Sequence, residues 1–325
     1  MFKFMDLKSK QSPVIDFTGH IVLNIPDVGE MVEIDNIIGS IHSSPTAVLE
    51  RIQQSQLDGM VLSQPPYIGS SNTSAVRRSN DELHNIVSKY DEFFGLAALP
   101  VGAGSEAAVE ELERCLEMGF NGAAIETKSN GIKASDNDLI PLFELANNSE
   151  TPILVHPKLH NSVGQSRDHL KNEYRLNAIL GRELALIETI CEFIHKGIYD
   201  QFKNLNLVYH HLGGNIASML GRLALHFDLG RWPNQSKLKS YGSFKDQLRE
   251  RVYIDTAGFL GFQPPLTATL NEFPASQILF GSDSPYEPRS VSEMNKLVDT
   301  IRSNTSKTNQ HNILGQNTLD LLVNI

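Results

Sequence analysis

The stretch PVIDFTGHIVL, residues 13–23, combines an apolar run with residue types that do chemistry. Asp16, Thr18 and His20 occupy alternate positions of this run, which predicts a buried strand. Side chains two apart on a strand share a face, so we expect an acid, a hydroxyl and an imidazole to point the same way.

Histidine and aspartate recur where three other apolar runs end. His156 closes PILVHP, the pair His210–His211 closes LNLVYHH, and Asp283 follows ILFGS. Taken singly, each residue is better explained as a core imidazole or a turn residue. Together, neutral imidazoles and a carboxylate suit zinc or a similar divalent ion, and they also suit acid–base catalysis. Four such strand ends therefore predict a metal or acid–base site.

Only one residue of the histidine pair is expected in that site. Successive residues of a strand face opposite sides. The sequence HLGG after His210 favours a sharp turn and a close backbone approach, which indicates that His211 is the functional residue. His210 then faces the helix layer or supports its neighbour.

The apolar runs alternate with helical segments along the whole chain, which predicts parallel βαβ units. Eight units predict an α/β fold of the closed (β/α)8 TIM-barrel type, in which the strand ends meet at one mouth. The rival, a doubly wound open sheet, lacks a glycine-rich fingerprint after the first strand. The candidate strands are VIDFTGHI, DGMVLSQPP, FFGLAALP, GAAIET, PILVHP, LNLVYHH, VYIDTAG and ILFGSDSP.

Helix signals fill the intervals between these strands. Ser44 is a predicted N-cap, with Pro45 at the first helical position. The segment from Ser105 carries an apolar stripe and ends at Gly119, a C-cap candidate.

The chain is expected to form one barrel domain over residues 1–325, with a polar lead over residues 1–12. Two segments exceed a minimal barrel, one over residues 28–44 after the first strand and one over residues 158–202 after the fifth. Both follow the carboxyl ends of strands, where barrel enzymes build their sites. We interpret them as substrate-covering or subunit-contact segments.

Composition narrows the class of protein. The 325 residues carry a formal charge of −10 and are 40% hydrophobic, which allows a large core and argues against nucleic-acid or membrane-surface partners. Cys115 and Cys191 lack metal-ligand spacing and fit a reducing compartment. The first twelve residues lack a secretory apolar core, and no apolar run reaches membrane-span length. A cytoplasmic location is expected.

Several segments together resemble the amidohydrolase-2 family, in the branch with aminocarboxymuconate-semialdehyde decarboxylase and the resorcylate-type decarboxylases. The resemblance runs from about Ile15 to the C-terminus. It implies a (β/α)8 barrel with a single divalent metal, and a homodimer. By position, His20, His156 and Asp283 look like metal ligands, and His211 looks like the catalytic histidine. In the decarboxylases of this family, the aspartate can also carry the proton to the substrate carbon. The matching segments are IDFTGHI, TPILVHP, HHLGGNIASMLGRL, VYIDTAG, ILFGSDSP and ILGQNTLDLL.

One position departs from that family. Its first strand usually reads His-x-His, or Glu-x-His in resorcylate-type members, whereas this chain has Thr18 at the first ligand position. A neutral threonine is a poor zinc ligand, although two imidazoles and one carboxylate match the count of open catalytic zinc sites. Asp16 is a candidate to compensate through a water. Zinc is the expected ion and manganese the alternative, and a metal-free protein is the other outcome that Thr18 allows.

Other residues near the mouth are candidates for binding substrate. Asp16 and Thr18 belong to the first strand. Lys158 and His160 follow His156 and would hold an acidic substrate, unless they form a solvated loop. Glu126, at the end of the fourth strand, either contacts substrate or pairs with Lys128.

The leading interpretation is a metal-assisted decarboxylase, a carbon–carbon lyase acting on a small carboxylated aromatic or unsaturated acid. The metal would spread the charge that develops as CO2 leaves, and Asp283 or His211 would deliver the proton. An amidohydrolase-type hydrolase of a lactone, ester or amide would use the same site. A degraded barrel that binds a small acid or a protein, without catalysis, is the third alternative.

Overall fold

Eight parallel strands form the centre of the protein, in a computed structural model that describes residues 12–23, 44–158, 173–232 and 237–323, with Leu7 and Lys10. Each strand pairs with the next along the chain. The predicted barrel and its eight strands are confirmed. The strands are β1 Ile15–His20, β2 Gly59–Ser63, β3 Phe93–Ala98, β4 Gly122–Glu126, β5 Ile153–His156, β6 Leu207–Tyr209, β7 Val252–Asp255 and β8 Ile278–Leu279.

Backbone hydrogen bonds join the last strand to the first. The Phe17 amide donates to the Phe280 carbonyl over 2.8 Å, and the Asp283 amide donates to the Thr18 carbonyl over 3.0 Å. The segment that follows β8 therefore runs beside β1. This closure brings Asp283 to the same end of the barrel as His20.

Helices surround the strands and follow them along the chain. A short antiparallel hairpin, Lys128–Ser129 with Ile132–Lys133, follows β4. Among the described helices, none combines the length and apolar character needed to cross a membrane. The helices are α1 Pro45–Gln54, α2 Thr73–Lys89, α3 Ser105–Met118, α4 Ile140–Asn148, α5 Arg182–Lys196, α6 Ile198–Gln201, α7 Leu220–His226, α8 Tyr241–Arg251, α9 Gln263–Glu272, α10 Val291–Asn304, α11 Lys307–His311 and α12 Asn317–Val323.

The local helix signals hold. The Ser44 side chain accepts a hydrogen bond from the Ala47 amide, and α1 begins at Pro45. Helix α3 ends before Gly119, whose φ of 92° is the left-handed conformation that glycine adopts at low cost. These signals act within one turn of helix, so sequence alone suffices to place them.

The two predicted insertions are described unequally. Residues 24–43, most of the segment after β1, lie outside the described residues, as does most of the polar lead. The segment after β5 contributes helix α5, which is packed through the buried residues Leu186, Ile190, Phe193 and Ile194. Helix α5 of that segment thus packs against the rest of the protein, and residues 159–172 of it lie outside the described residues.

A β-bulge interrupts β1 between Asp16 and Gly19. The expectation that Asp16 and His20 point the same way from a regular strand is therefore wrong. Asp16 pairs with Met60 and Gly19 with Leu62, so three steps along β1 match two along β2. One extra residue reverses the facing of the chain beyond it. Asp16 and His20 therefore face opposite sides of the strand.

Asp16 connects β1 to the segment after β8, on the side of the strand opposite to His20. Its carboxylate accepts hydrogen bonds from the Ser282 hydroxyl, from the Ser282 amide over 3.0 Å and from the Thr18 amide over 3.1 Å. Asp16 is fully buried. Burial raises the pKa of its carboxyl to about 6, although the hydrogen bonds from Ser282 and Thr18 oppose that rise.

This raised pKa predicts a pH-dependent contribution of Asp16 to stability. The ordinary carboxyl pKa of 3.8 applies to the unfolded chain, so the folded state binds the proton more tightly. The stabilising contribution is complete below the unfolded pKa and is lost as pH rises through about 6. Relative to Asp16→Asn, the free energy of unfolding of the unmodified protein should fall by roughly 3 kcal/mol between about pH 4 and about pH 7.

Urea denaturation of the metal-free unmodified protein and of metal-free Asp16→Asn, across this pH range, measures the difference between their free energies of unfolding. The contributions of other titrating groups are common to both proteins and cancel in that difference. A difference that stays constant with pH would show that the Asp16 carboxyl titrates alike in the folded and unfolded chains.

Candidate active site

Four buried side chains meet where the strands end. His20 ends β1, His156 ends β5, His210 follows β6 and Asp283 follows β8. Their ligand atoms all lie within 4.8 Å of one another. The barrel thus brings together the residues that the sequence interpretation placed at four strand ends.

Hydrogen bonds at Nδ1 orient two of the imidazoles. His156 Nδ1 lies 2.6 Å from the Pro157 carbonyl oxygen, and His210 Nδ1 lies 2.6 Å from Asp255 Oδ2. A carbonyl and a carboxylate only accept hydrogen bonds, so each Nδ1 carries a hydrogen and donates it. In the neutral tautomer, Nε2 then presents a lone pair to the cluster.

Nitrogen atoms of this cluster face the oxygens of Asp283. His20 Nε2 lies 2.9 Å and His210 Nε2 lies 3.5 Å from Asp283 Oδ1. A nitrogen lone pair and a carboxylate oxygen repel each other, so each of these approaches requires either a proton on the nitrogen or a cation between the two atoms. Three imidazoles with one carboxylate form a donor set that suits zinc or manganese, so the residues fit a divalent ion. A buried metal site of histidine and aspartate is the arrangement that this geometry forms.

The backbone after β6 explains why both histidines of the pair reach the mouth. Residues 211–215 all have positive φ, between 54° and 70°, which makes a turn of left-handed helix. Gly213 and Gly214 adopt this conformation readily, whereas His211 and Leu212 cost roughly 1–2 kcal/mol each. Strand alternation stops at Tyr209, so the expected placement of His210 against the helix layer is wrong.

His211 is held from both of its sides. Its amide donates to Asp255 Oδ1 over 3.1 Å, and its Nδ1 lies 2.8 Å from Glu183 Oε1. Its Nε2 lies 3.5 Å from Asp283 Oδ2. A carboxylate behind the imidazole fixes the ring and leaves Nε2 directed at the mouth.

Asp255 and Glu183 are the functional residues that the sequence interpretation missed. Asp255 binds the His210 ring and the His211 amide, and it also accepts from the Ala257 amide over 3.0 Å. The sequence does contain a sign of Asp255, because the seventh strand ends in this acidic residue. Glu183 lies on α5, and nothing in its local sequence predicts a contact with His211.

The charges of the cluster follow from burial and from these partners. Burial by itself raises the pKa of Asp283, but hydrogen bonds from the neighbouring imidazoles hold that pKa well below its usual range. Burial lowers the pKa values of His20 and His156. Burial also lowers the pKa of His210, but the Asp255 carboxylate outweighs it and raises that pKa to about 9. Asp283 is thus an anion, and His156 is a neutral imidazole.

Tyr286 and Glu287 follow Asp283 closely in the sequence and lie beside the cluster. The Tyr286 ring lies 5.5 Å from the His20 ring. Glu287 accepts a hydrogen bond from the Gly258 amide over 3.0 Å and forms a second acidic group with His211 and Asp283. Glu287 therefore adds a carboxyl group beside His211 and Asp283.

Thr18 is buried between Asp16 and His20 in the sequence of β1. Its hydroxyl is buried and has no hydrogen-bond partner among the described residues. A Cβ at Gly281 would come within 2.1 Å of that hydroxyl, so the missing side chain of Gly281 provides its space.

The remaining candidates are placed as follows. Glu126 is buried beside His156 in the strand register, and its carboxylate accepts from the Ser129 hydroxyl over 3.4 Å. Lys158 is partly exposed, two residues beyond His156. His160 lies outside the described residues.

Known structures share this architecture. A 5-carboxyvanillate decarboxylase from Novosphingobium aromaticivorans, solved with manganese, has a TM-score of 0.82 at 17% identity, and the match covers 97% of each chain. A 2,6-dihydroxybenzoate decarboxylase from Rhizobium has a TM-score of 0.76 at 20% identity, with 96% of this chain and 99% of that chain covered. At these identities, the likeness shows the fold.

Sequence relatives point the same way. A 2-amino-3-carboxymuconate-6-semialdehyde decarboxylase of Dictyostelium discoideum is 28% identical over 250 residues, 75% of this chain and 65% of that protein. A gamma-resorcylate decarboxylase of Rhizobium sp. (strain MTP-10005) is 28% identical over 224 residues, 65% of each. The matched part of the chain thus spans just under two thirds of the length of these relatives. The family model described as Amidohydrolase matches residues 42–322, and the chain therefore belongs to the amidohydrolase family.

Proposed function

We propose that this protein is a metal-dependent decarboxylase that releases CO2 from a small carboxylated aromatic or unsaturated acid. The observation that carries the proposal is the buried cluster in which imidazole nitrogens face an ionised Asp283 at the mouth of an amidohydrolase barrel. Relatives named as decarboxylases of resorcylate and of a carboxymuconate semialdehyde support the substrate class.

His20, His156 and Asp283 are the proposed metal ligands. Zinc is the ion we expect, and the manganese bound by a structural relative makes manganese the alternative. When bound, the ion would fix the substrate carboxylate and a neighbouring oxygen and would stabilise the negative charge of the transition state. Burial of the three side chains keeps water away from that charge.

His211 is the proposed proton donor. Decarboxylation breaks the bond between the carboxylate carbon and the adjacent substrate carbon. The electron pair of that bond stays on the substrate carbon, and a proton then binds there in place of the departing CO2. The Glu183 carboxylate holds His211 Nδ1, so the proton that moves is the one on Nε2, which faces the mouth. Asp283 Oδ2, 3.5 Å from Nε2, is the neighbouring group that can pass this proton to substrate or recover it.

Substrate recognition is assigned to the residues around this centre. Lys158 and His160 are proposed to attract an acidic substrate, and Glu126 and Thr18 are proposed to shape the pocket beside His156 and His20. Asp16 supports β1 from behind through Ser282 and does not face the mouth.

A homodimer is part of the same proposal. Large apolar side chains are exposed where the segment after β5 enters α5, including Ile179 at 58% and Leu180 at 49% exposure. A second copy of the chain is the partner we expect to cover them. Light scattering of the purified protein tests this point. The cytoplasmic location stays a prediction.

A panel of acids provides the direct test of the reaction. Zinc- or manganese-loaded protein is incubated with phenolic acids, muconate-type acids, lactones, esters and amides, and CO2 and product are measured. We expect CO2 release with at least one acid. Turnover confined to lactones, esters or amides would instead assign the hydrolase reaction to this site.

Removal of the metal should abolish that turnover. Dialysis against a chelator is expected to remove the activity and lower the melting temperature, because a ligand bound only by the folded state stabilises it. Adding zinc or manganese should restore both. Full activity in protein that holds less than about a tenth of an equivalent of metal would contradict the proposal.

Replacing the proposed proton donor should separate catalysis from folding. His211→Ala is expected to lower kcat by roughly 100-fold or more, in line with the loss of a positioned acid. His84→Ala, on helix α2, is the matched control and should keep its turnover. Retained activity in His211→Ala, with an unchanged melting temperature, would remove His211 from the mechanism.

A further inference from the structure

The first strand lacks one metal ligand, and the structure shows what stands in that position. Thr18 occupies the place where the resemblance implies a histidine or glutamate. Its hydroxyl faces the gap left by Gly281. A threonine hydroxyl is a weak ligand for zinc or manganese.

The chain carries an imidazole that faces the same centre from another strand. His210 Nε2 lies 3.5 Å from Asp283 Oδ1, the oxygen that His20 Nε2 also approaches. The His210 ring stacks on the His156 ring, with centroids 5.0 Å apart. His210 is fully buried, so bulk solvent does not reach its ring nitrogens.

We propose that His210 is a metal ligand that replaces the one missing from β1, so that the ion is held by His20, His156, His210 and Asp283. The assignment rests on the metal site of the proposed function and adds to it a residue from β6. Thr18 removes one ligand from β1 and His210 adds one after β6, so the ion would still have four protein ligands.

Asp255 prepares His210 for this role. Its carboxylate accepts from His210 Nδ1 over 2.6 Å, which fixes the tautomer with Nε2 free for metal and raises the basicity of that nitrogen. A carboxylate behind a ligating imidazole is the usual support of such a ligand. Asp255 is fully buried, and two backbone amides also hold it in place.

Two other residues are placed less well for this task. The Asp16 carboxylate is engaged by Ser282 and by the Thr18 amide, on the opposite side of the bulge from His20. His211 approaches the other oxygen of Asp283, Oδ2, and belongs to a separate group with Glu287. The two oxygens of Asp283 thus separate a metal side, with His20 and His210, from a proton-transfer side with His211.

X-ray absorption spectroscopy of the zinc-loaded protein counts imidazole ligands directly. We expect three imidazoles in the unmodified protein and two in His210→Asn. The affinity for zinc, measured by competition with a chelator, should fall in His210→Asn by more than the roughly 10–100-fold that loss of an outer-shell partner costs. Neither measurement depends on turnover.

Matched variants give the controls. His211→Asn changes the adjacent histidine, which contacts the ligand Asp283 from outside the proposed ligand set. It should keep three imidazoles and lose no more than the roughly 10–100-fold in zinc affinity that an outer-shell partner contributes. Thr18→Val removes the hydroxyl at nearly constant shape and should also leave the zinc affinity unchanged.

Each contrary outcome has a distinct meaning. Two imidazoles in the unmodified protein, or the loss of an imidazole in His211→Asn and not in His210→Asn, would overturn the assignment while the decarboxylase proposal stands. Three imidazoles without CO2 release from any acid would overturn the decarboxylase proposal and keep the ligand. Failure of the unmodified protein to bind metal would overturn both. If His210→Asn does not fold, the count in the unmodified protein decides alone.

Discussion

A buried carboxylate must be compensated, and the mouth of this barrel is organised around that constraint. Asp283 is an anion in a site nearly closed to water, and imidazole nitrogens approach both of its oxygens. The cost of burying such a charge unpaired would be several kcal/mol, so the surrounding groups must supply positive charge. Protons on His210 and His211 supply it in the metal-free protein, and a divalent ion can take over part of that task. Exchange between protons and metal follows from the same geometry.

Asp255 links that charge balance to the backbone. One of its oxygens holds the His210 ring, and the other accepts the amides of His211 and Ala257. The left-handed turn after β6 is costly for His211 and Leu212, and the bond from the His211 amide to Asp255 helps to offset that cost. A single carboxylate therefore sets the direction of His210, the proposed ligand, and the path of the chain that presents His211, the proposed proton donor.

Features that depend on neighbouring residues could be predicted from the sequence, and features that depend on distant ones could not. The eight strands, the cap at Ser44 and the end of α3 at Gly119 follow from local patterns. The alternation rule fails at the bulge after Asp16 and again after Tyr209, because in both places the backbone leaves regular strand geometry. Glu183 reaches His211 only through the packing of α5 on the barrel, and no local pattern records that contact.

The place of Thr18 shows why a motif is an incomplete guide to a barrel site. Side chains at or just after several strand ends meet at a common centre, so a ligand can be supplied by a different strand without a change of fold. The sequence motif of β1 shows that a ligand is missing at Thr18. The proposed replacement, His210, follows a different strand and is therefore not part of that motif. The geometric group of His20, His156, His210 and Asp283 detects both, because it is defined by distance around the centre. The relevant unit of comparison in such a protein is thus the set of atoms that face the metal site, and the chemistry proposed for Asp283 and His211 depends on that set being complete.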